Sequence, residues 1–322
     1  MLHIIANPYS GHGALTTAEF CRRLQKASIP YCLHTTGGKG HARTLAASLG
    51  LNEKDLLLLI GGDGSLNDTV NGLSLEQIPT LLLLPTGSGN DFARGLRMKR
   101  SMPAMLSLLQ NAGNLTPCDL DCGEVHILNR QGSPAGQNRQ RPEHRRFLVS
   151  CGMGYDAGVC HAINNSPLKT LCNRLHLGKV TYLILGIRQI FRYKKASVTL
   201  TLEDGETVTY ENGAFLSFHN LPYEGGGFPF APRANARDGK LDLCLITAKN
   251  RVIFTLTLAA SLLGGKHALL PNTRVISCRK AHVCSDLPLP FHTDGEVTLQ
   301  VSEFSVRCLE KKIPLLYEAG PD

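Results

Sequence analysis

The sequence predicts a protein of the α/β plus all-β class, with an N-terminal parallel-sheet α/β domain and a C-terminal antiparallel β-sandwich domain. Three observations support this prediction. The chain has 322 residues, more than most single domains contain. Residues 1–117 alternate strand and helix patterns. Residues 118–308 instead contain strand-like segments separated by turn residues.

The N-terminal part contains apolar runs such as "LLLLI" at 56–60, separated by segments of helix length. Runs that are apolar throughout and joined by helical crossovers are typical of parallel strands covered on both faces. The runs predict strands at 2–6, 31–35, 56–60 and 80–84, and the segments between them predict helices at 14–27, 40–49 and 66–73.

The C-terminal part contains alternating, β-branched segments such as "ASVTLTL" and "EVTLQVSEFSVRCL". These segments indicate an antiparallel sandwich or barrel. Two helical patterns interrupt them, at 167–193 and 250–263. The polar and basic segment 129–146 has no periodicity, and we interpret it as a loop between two strands.

The composition suggests an anionic partner, since the net charge is +8 and the pI is about 9.0. Nucleic acid is not expected, because the chain has no zinc-ligand spacing and no RNA-binding signature. The 11 cysteines include no CxxC pair, as expected for reduced core residues of a cytoplasmic protein. The N-terminal segment does not resemble a signal peptide, and the apolar stretch 252–263 is shorter than the roughly 20 residues of a membrane span.

Four glycine-rich loops follow the predicted parallel strands, at 7–13, 35–40, 61–67 and 85–91. Open parallel sheets bind ligands beyond the carboxyl ends of their strands. Glycine lets the backbone approach a ligand closely, and exposed N–H groups at helix starts bind phosphate. The loops therefore predict a site for nucleotide phosphates. Their sequences match neither the Walker A nor the Rossmann pattern, so the site is of another type.

Asp63 is the acid of the loop "GGDGS", which follows the strongest predicted strand. One interpretation places its carboxylate beside a polyphosphate and a Mg²⁺ ion, which prefers carboxylate and phosphate oxygens. The alternative is a tight strand-to-helix turn in which Asp63 caps a helix.

Several motifs, in order along nearly the whole chain, resemble the diacylglycerol kinase catalytic-domain family, which includes bacterial lipid kinases and sphingosine and ceramide kinases. The motifs are "NPYSG" (7–11), "GGDGSLNDTVNGL" (61–73), "LLPTGSGNDFARGL" (83–96), "GMGYDAGV" (152–159), "APRANARDGKLDL" (231–243) and "HTDGE" (292–296). The resemblance implies a phosphofructokinase-like first domain to which the last residues return. The domain boundaries are then 1–117 plus 309–322 for the nucleotide-binding domain and 118–308 for the lipid-substrate domain.

The resemblance also implies functional residues. Those that would hold ATP are Asn7, Pro8, Tyr9, Ser10, Gly11, Thr36, Gly62, Asp63, Gly64, Ser65, Leu66, Asn67, Asp68 and Ser88. The general base would be Glu296, which accepts the proton of a lipid hydroxyl, with Asp63 as a second catalytic acid. A Mg²⁺ ion would lie at Asp238 with carbonyls near Asn235 and Lys240. Asp-Gly pairs also favour hairpin turns, so a purely structural role is the alternative for both of these later motifs.

The resemblance thus implies an ATP- and Mg²⁺-dependent lipid kinase, most simply one that converts diacylglycerol to phosphatidic acid. A cytoplasmic enzyme in peripheral contact with an anionic membrane would follow, and a homodimer is one option for its assembly. The basic helix pattern 167–193 would touch the membrane, or else would pack on the sheet with a solvated basic face. The alternative functions are a kinase of a soluble substrate, as in NAD kinases, and a non-catalytic lipid- or nucleotide-binding module.

Overall fold

The computed structural model describes residues 1–130, 143–164 and 178–320. The chain divides into two compact units, Met1–Leu120 with Lys311–Asp322, and Asp121–Glu310. Most of the loop predicted at 129–146 and the first part of the helix predicted at 167–193 lie outside the described residues.

The first unit contains a sheet of six described strands in the order β2-β1-β3-β4-β15-β5. Numbered along the chain, they are β1 (Leu2–Ala6), β2 (Tyr31–Thr35), β3 (Leu56–Gly61), β4 (Thr80–Pro85), β5 (Cys118–Leu120) and β15 (Ile313–Leu315). Strands β1 to β4 are parallel, which confirms the predicted parallel α/β domain. The central strands β3 and β4 are buried along almost their whole length, which explains why their sequences are apolar at every position.

Helices connect these strands. They are α1 (Gly13–Lys26), α2 (His41–Ser48), α3 (Asp63–Gly72), α4 (Asp91–Gly95) and α5 (Met102–Asn111). Helix α3 begins at Asp63 rather than at the predicted residue 66, because the extended Gly62 serves as its N-cap. Helix α5 was not predicted, although its start carries a readable signal. The side chain of Ser101 accepts a hydrogen bond from the N–H of Ala104, as a helix N-cap does.

The second unit is built on an antiparallel sheet of nine described strands. The strands are β6 (Gly123–Arg130), β7 (Glu143–Phe147), β8 (Ser150–Gly154), β9 (Ala196–Leu202), β10 (Thr207–His219), β11 (Leu241–Thr247), β12 (Thr273–Cys278), β13 (Lys280–Thr293) and β14 (Glu296–Cys308). Both β8 and β9 pair with β10 and with β13. The long strands β10 and β13 are therefore each shared by both pairings, and the sheet curves around a buried apolar core. The antiparallel β-rich domain predicted from the sequence is confirmed.

Three described helices accompany this sheet: α6 (Tyr155–Asn164), α7 (Gly178–Ile190) and α8 (Arg251–Leu262). Helix α6 was not predicted, and it follows β8 without a loop. Gly154, with φ of +102°, makes the sharp corner between them. A side chain at Gly158 would lie 2.1 Å from the amide of Gln189, so this glycine permits close packing of α6 against α7. Within the described residues, the helices are too short or too polar to span a membrane.

The turn between β13 and β14 is tied to the neighbouring strands by Asp294. Its carboxylate accepts hydrogen bonds from the N–H groups of Leu148 (2.9 Å), Val149 (2.9 Å) and Ser150 (3.0 Å). The N–H of Asp294 in turn donates to the carbonyl of Ser150 (2.8 Å). Asp294 and Gly295 both have positive φ, +47° and +83°, as a two-residue hairpin turn requires.

Replacing Asp294 should therefore destabilise the protein. Asp294→Ala removes the acceptor of three N–H groups and places alanine at a positive φ, so we expect a loss of about 3 kcal/mol in the free energy of unfolding. Asp294→Asn is the matched variant, since it retains one acceptor oxygen and tolerates the positive φ; its loss should be about half as large. Urea unfolding followed by circular dichroism measures both, and equal stability of the two variants would contradict this role.

Candidate active site

The glycine-rich loops of the first unit start at one edge of its sheet, since β1 to β4 are parallel. Backbone hydrogen bonds extend the pairing of the strands into the loops. The N–H of Asn7 donates to Ile60 (2.9 Å), that of Thr36 to Ala6 (2.9 Å), and that of Thr86 to Gly61 (2.8 Å). The loops after the four strands thus begin side by side.

Glycines allow three of these loops to touch through their backbones. A Cβ atom on Gly11 would lie 2.1 Å from the carbonyl oxygen of Thr86, and Gly11 also has a positive φ of +54°. A Cβ atom on Gly62 would lie 3.0 Å from the Cα of Gly87, and one on Gly87 would lie 2.7 Å from the Cα of Gly62. Larger residues at these positions would separate the loops.

The carboxylate of Asp63 joins two of the loops. Its Oδ2 accepts a hydrogen bond from the N–H of Asp91 (2.9 Å), and its Oδ1 accepts one from the N–H of Phe92 (3.2 Å). These N–H groups belong to the first turn of α4, so Asp63 caps α4 and not its own helix. Burial raises the pKa of the Asp63 carboxyl, while the N–H groups of Asp91, Phe92 and Asn90 and the Arg94 guanidinium oppose the rise.

Two other predicted nucleotide residues also connect loops. The side-chain amide of Asn7 donates to the hydroxyl of Ser65 (2.8 Å), which ties the first loop to α3. The carboxylate of Asp68 accepts a hydrogen bond from the N–H of Gly40 (3.0 Å), which ties the second loop to the same helix. Both side chains therefore shape the site, whatever ligand it takes.

Several polar groups at this edge suit a phosphate-bearing ligand. Among the described residues, the buried oxygens Thr36 Oγ1, Thr86 Oγ1 and Asn90 Oδ1 have no hydrogen-bond partner. The first N–H groups of α3 have no partner within the helix either. Tyr9 and Ser88 are exposed, and Pro8, Ser10 and Gly64 are half-buried. Leu66 and Asn67 are buried in α3, so their side chains pack in the protein, and the N–H of Leu66 already donates to the carbonyl of Gly62 (3.0 Å).

Glu296 is the first residue of β14, directly after the Asp294–Gly295 turn, and is paired with Thr293 across the hairpin. Its side chain is half-buried. The alternative interpretation of "HTDGE" as a hairpin is thus correct for Asp294 and Gly295, and Glu296 follows directly after the turn.

The segment that contains Asn235, Asp238 and Lys240 forms a turn before β11. The carbonyl of Asn235 accepts hydrogen bonds from the N–H groups of Arg237 (2.8 Å) and Asp238 (3.4 Å), and the Asp238 carboxylate accepts one from the N–H of Lys240 (3.0 Å). Asp238 is exposed. One carboxylate with backbone carbonyls is a suitable donor set for Mg²⁺, although these hydrogen bonds also close the turn without an ion.

The second unit contains a buried polar cluster that the sequence did not reveal. Nε2 of His292 lies 2.7 Å from Oδ2 of Asp156 and 3.2 Å from Oε1 of Glu224. The hydroxyl of Ser217 donates to Glu224 (3.0 Å), and His219 lies 3.5 Å from the same carboxylate. These five side chains are buried. Gly152 makes room for the cluster, since a Cβ atom there would lie 2.6 Å from Oδ2 of Asp156.

The protonation of this cluster follows from burial and mutual contact. Burial raises the pKa of Asp156 to about 6 in spite of the neighbouring His292. Burial also favours a higher pKa for Glu224, but the neighbouring His292 and His219 outweigh burial and lower the pKa of Glu224 to about 2. Burial opposes the charge on His292, yet Glu224 and Asp156 raise its pKa well above the ordinary value. Asp156, Glu224 and His292 are of types that bind metal ions, and their ligand atoms lie close enough together to hold one. Their hydrogen bonds to one another, however, explain the cluster without a metal ion.

The raised pKa of Asp156 predicts a specific pH dependence of stability. The folded protein holds the Asp156 proton more tightly than the unfolded chain does. The stability that this proton contributes is therefore present at low pH and is lost as the pH rises from about 4 to about 6. The unfolding free energy of the wild type, minus that of Asp156→Asn, should fall by about 1–3 kcal/mol over this range.

Asp55 provides a control of opposite sign for this measurement. Its pKa is lowered, because hydrogen bonds from Asn52 and the N-terminal amine and the nearby positive charges outweigh its burial. Its contribution is therefore lost as the pH falls. The difference between the wild type and Asp55→Asn should not fall as the pH rises. A pH-independent difference for Asp156→Asn would show that Asp156 titrates normally.

Comparison with known proteins agrees with this geometry. Residues 1–121 match the family described as "Diacylglycerol kinase catalytic domain", and residues 149–316 match "YegS C-terminal NAD kinase beta sandwich-like domain". The diacylglycerol kinase of Bacillus subtilis (strain 168) is 30% identical over 297 residues, which are 91% of this chain and 88% of that protein.

Solved structures show the same fold. A diacylglycerol kinase from Bacillus anthracis str. Sterne has a TM-score of 0.65 at 18% identity, covering 98% of this chain and 96% of the other. An NAD kinase from Archaeoglobus fulgidus has a TM-score of 0.51 at 12% identity, covering 98% and 93%. From the motifs, the fold and these matches together, the chain belongs to the diacylglycerol kinase catalytic-domain family and is a lipid kinase at the level of that family.

Proposed function

We propose that the protein is an ATP- and Mg²⁺-dependent kinase that transfers the γ-phosphoryl group of ATP to a lipid hydroxyl, most simply converting diacylglycerol to phosphatidic acid. The observation that carries the proposal is the junction of the "GGDG" and "GSGND" loops. There the Asp63 carboxylate accepts hydrogen bonds from the N–H groups of Asp91 and Phe92. Gly62 and Gly87 bring the backbones of the two loops into contact. This arrangement leaves a glycine-lined edge suited to phosphates.

In this proposal the first unit, within the sequence-based boundaries 1–117 plus 309–322, binds the nucleotide. The backbone N–H groups at the start of α3 bind phosphate oxygens, as helix starts do. The hydroxyl of Thr86 can donate a further hydrogen bond to phosphate, whereas the amide oxygen of Asn90 only accepts and so suits a Mg²⁺ ion or a hydroxyl of the ligand. The two Asp63 oxygens have about four lone-pair directions between them, and the N–H groups at the start of α4 do not use them all, so Asp63 can hold a Mg²⁺ ion as well as join the loops. A bound Mg²⁺ would offset negative charge on the phosphates.

The second unit, with the sequence-based boundaries 118–308, supplies the lipid site and the base in this proposal. A lipid hydroxyl is a weak acid, so its proton has to be accepted as the oxygen–phosphorus bond forms and ADP leaves. The carboxylate of Glu296 takes that role. Asp294 supports it by fixing the adjacent turn through three N–H groups. Asp238, with carbonyls near Asn235 and Lys240, would hold a second Mg²⁺ ion with a structural role.

The proposed partners follow from the substrate. Diacylglycerol resides in a bilayer, so the enzyme would work as a cytoplasmic protein in peripheral contact with an anionic membrane, consistent with the net charge of +8. The second candidate function is phosphorylation of a soluble substrate. The description of residues 149–316 as NAD kinase-like and the likeness to an NAD kinase solved in complex with ATP favour it. The "GSGND" motif followed by "DFARGL" favours the lipid kinase.

An assay with labelled ATP tests the proposal and its base together. The wild type should transfer phosphate to diacylglycerol in a panel that also contains monoacylglycerol, ceramide, a polyprenol and NAD. Glu296→Gln keeps the size of the side chain and removes its basicity, so we expect kcat to fall roughly 10²–10⁴-fold with little change in ATP affinity.

Glu303→Gln is the matched control, because Glu303 lies on the same strand and its carboxylate contacts His282. It should retain wild-type turnover. Near-wild-type turnover of Glu296→Gln would place the base elsewhere. Transfer to NAD with none to any lipid would favour the soluble-substrate kinase.

A further inference from the structure

Helix α8 is apolar on both of its faces. Its inner residues Phe254 and Leu258 are buried in a core cluster of the second unit. Its outer residues Val252 and Leu256 are 67% and 64% exposed, and Leu263, which directly follows the helix, is 63% exposed. The spacing of these three places them along one side of the helix. An amphipathic helix that only covered a sheet would carry polar residues on its outer side. The apolar outer stripe of α8 therefore indicates a surface that binds a partner.

Helix α7 and the residue after it repeat this arrangement. Ile190 is buried in the same core cluster as Phe254, whereas Ile184, Ile187 and Phe191 are at least half exposed. The two helices meet where the guanidinium of Arg251 donates to the carbonyl of Phe191 (3.0 Å) and lies 6.0 Å from the centre of its ring. Because both inner faces pack into one cluster, both outer stripes point away from it. We call these six exposed residues, on α7 and α8, the α7–α8 surface.

The charges that α7, α8 and the residues flanking them carry all have one sign. Segments 178–195 and 248–270 contain no Asp or Glu. Their described and exposed basic residues are Arg188, Arg192, Lys194, Lys195, Lys249, Arg251 and Lys266. In the described part of the chain, none of these seven forms an ion pair with a carboxylate. A second copy of this surface would oppose its charges with like charges, whereas an anionic bilayer complements both the apolar stripe and its basic border.

We propose that the α7–α8 surface docks on an anionic lipid bilayer, with its six apolar side chains in the headgroup and acyl boundary and the basic residues against the lipid headgroups. The inference goes beyond the proposed reaction, because it names a membrane-binding surface whose action needs neither ATP nor turnover. It also extends the membrane-contact hypothesis from the basic helix pattern at 167–193 to α8, whose outer stripe includes its most exposed large apolar residues.

Co-sedimentation of the full chain with vesicles, without ATP and without diacylglycerol, tests this surface. The vesicles are phosphatidylcholine alone, or phosphatidylcholine mixed with phosphatidylglycerol. The wild type should bind the mixed vesicles better and should bind them less as salt is added, since added salt shortens the range of the attraction. Leu256→Glu combined with Val252→Glu should weaken binding about tenfold or more, because two apolar side chains that would enter the bilayer are replaced by negative charges.

Leu15→Glu is the matched control, since Leu15 is an equally exposed leucine on α1 of the first unit. It should bind vesicles like the wild type. All variants change exposed positions, and circular dichroism checks that each is folded. Activity on a detergent-dispersed diacylglycerol should be unchanged in Leu256→Glu, which separates a failure of docking from a failure of the proposed kinase reaction.

Two results would overturn the proposal. One is equal vesicle binding by the wild type and the α8 double variant. The other combines two observations: sedimentation velocity shows a wild-type dimer that Leu256→Glu dissociates, and Leu256→Glu does not weaken vesicle binding. The α7–α8 surface would then be a subunit interface.

Discussion

The carboxylate of Asp63 holds together the two loops that define the first unit's functional edge. Its two oxygens accept N–H groups at the start of α4, while its backbone begins α3. The "GGDG" and "GSGND" motifs are therefore two halves of one structure. The surrounding glycines are a consequence of this junction, because Gly62 and Gly87 bring their backbones too close for a side chain at either position.

The second unit uses a carboxylate in a similar way. Asp294 accepts three N–H groups and so fixes the turn that precedes Glu296. Behind this turn, His292 contacts the buried carboxylates of Asp156 and Glu224. In both units an aspartate of a D-G pair organises backbone N–H groups. The structural and catalytic interpretations of such motifs are thus compatible, since the same hydrogen bonds that form the turn give neighbouring groups fixed positions.

The sequence was sufficient for the parallel strands β1 to β4, most clearly for β3 and β4, because strands buried on both faces are apolar at every position and glycine loops mark their ends. The short strands β5 and β15 were not predicted. The sequence was also not sufficient for the Asp156–Glu224–His292 cluster. These residues meet because Gly152 pairs with Ser217 on one side and with His292 on the other. Such a register between distant strands leaves no local pattern. The motifs "GMGYDAGV" and "HTDGE" contain Asp156 and His292, but neither motif indicates its partner.

The exposed stripe on α8 was missed for a related reason. Its sequence was read as one apolar stretch, and only the fold separates the buried Phe254 and Leu258 from the exposed Val252 and Leu256. Burial is a property of packing, so an apolar run on its own does not distinguish a core helix from one with a second apolar face.

The central claim is that Asp63 gives the loops the shape that binds ATP. Calorimetric titration of ATP with Mg²⁺ into the wild type and Asp63→Ala tests it most directly, with Asp55→Ala as a control, since Asp55 also accepts hydrogen bonds but lies outside the loops. Loss of the cap should loosen residues 86–92 and lower ATP affinity at least about tenfold, the effect of removing hydrogen bonds to a charged acceptor, while the protein remains folded. Asp55→Ala should bind ATP like the wild type. Unchanged ATP affinity in a folded Asp63→Ala protein would contradict the account.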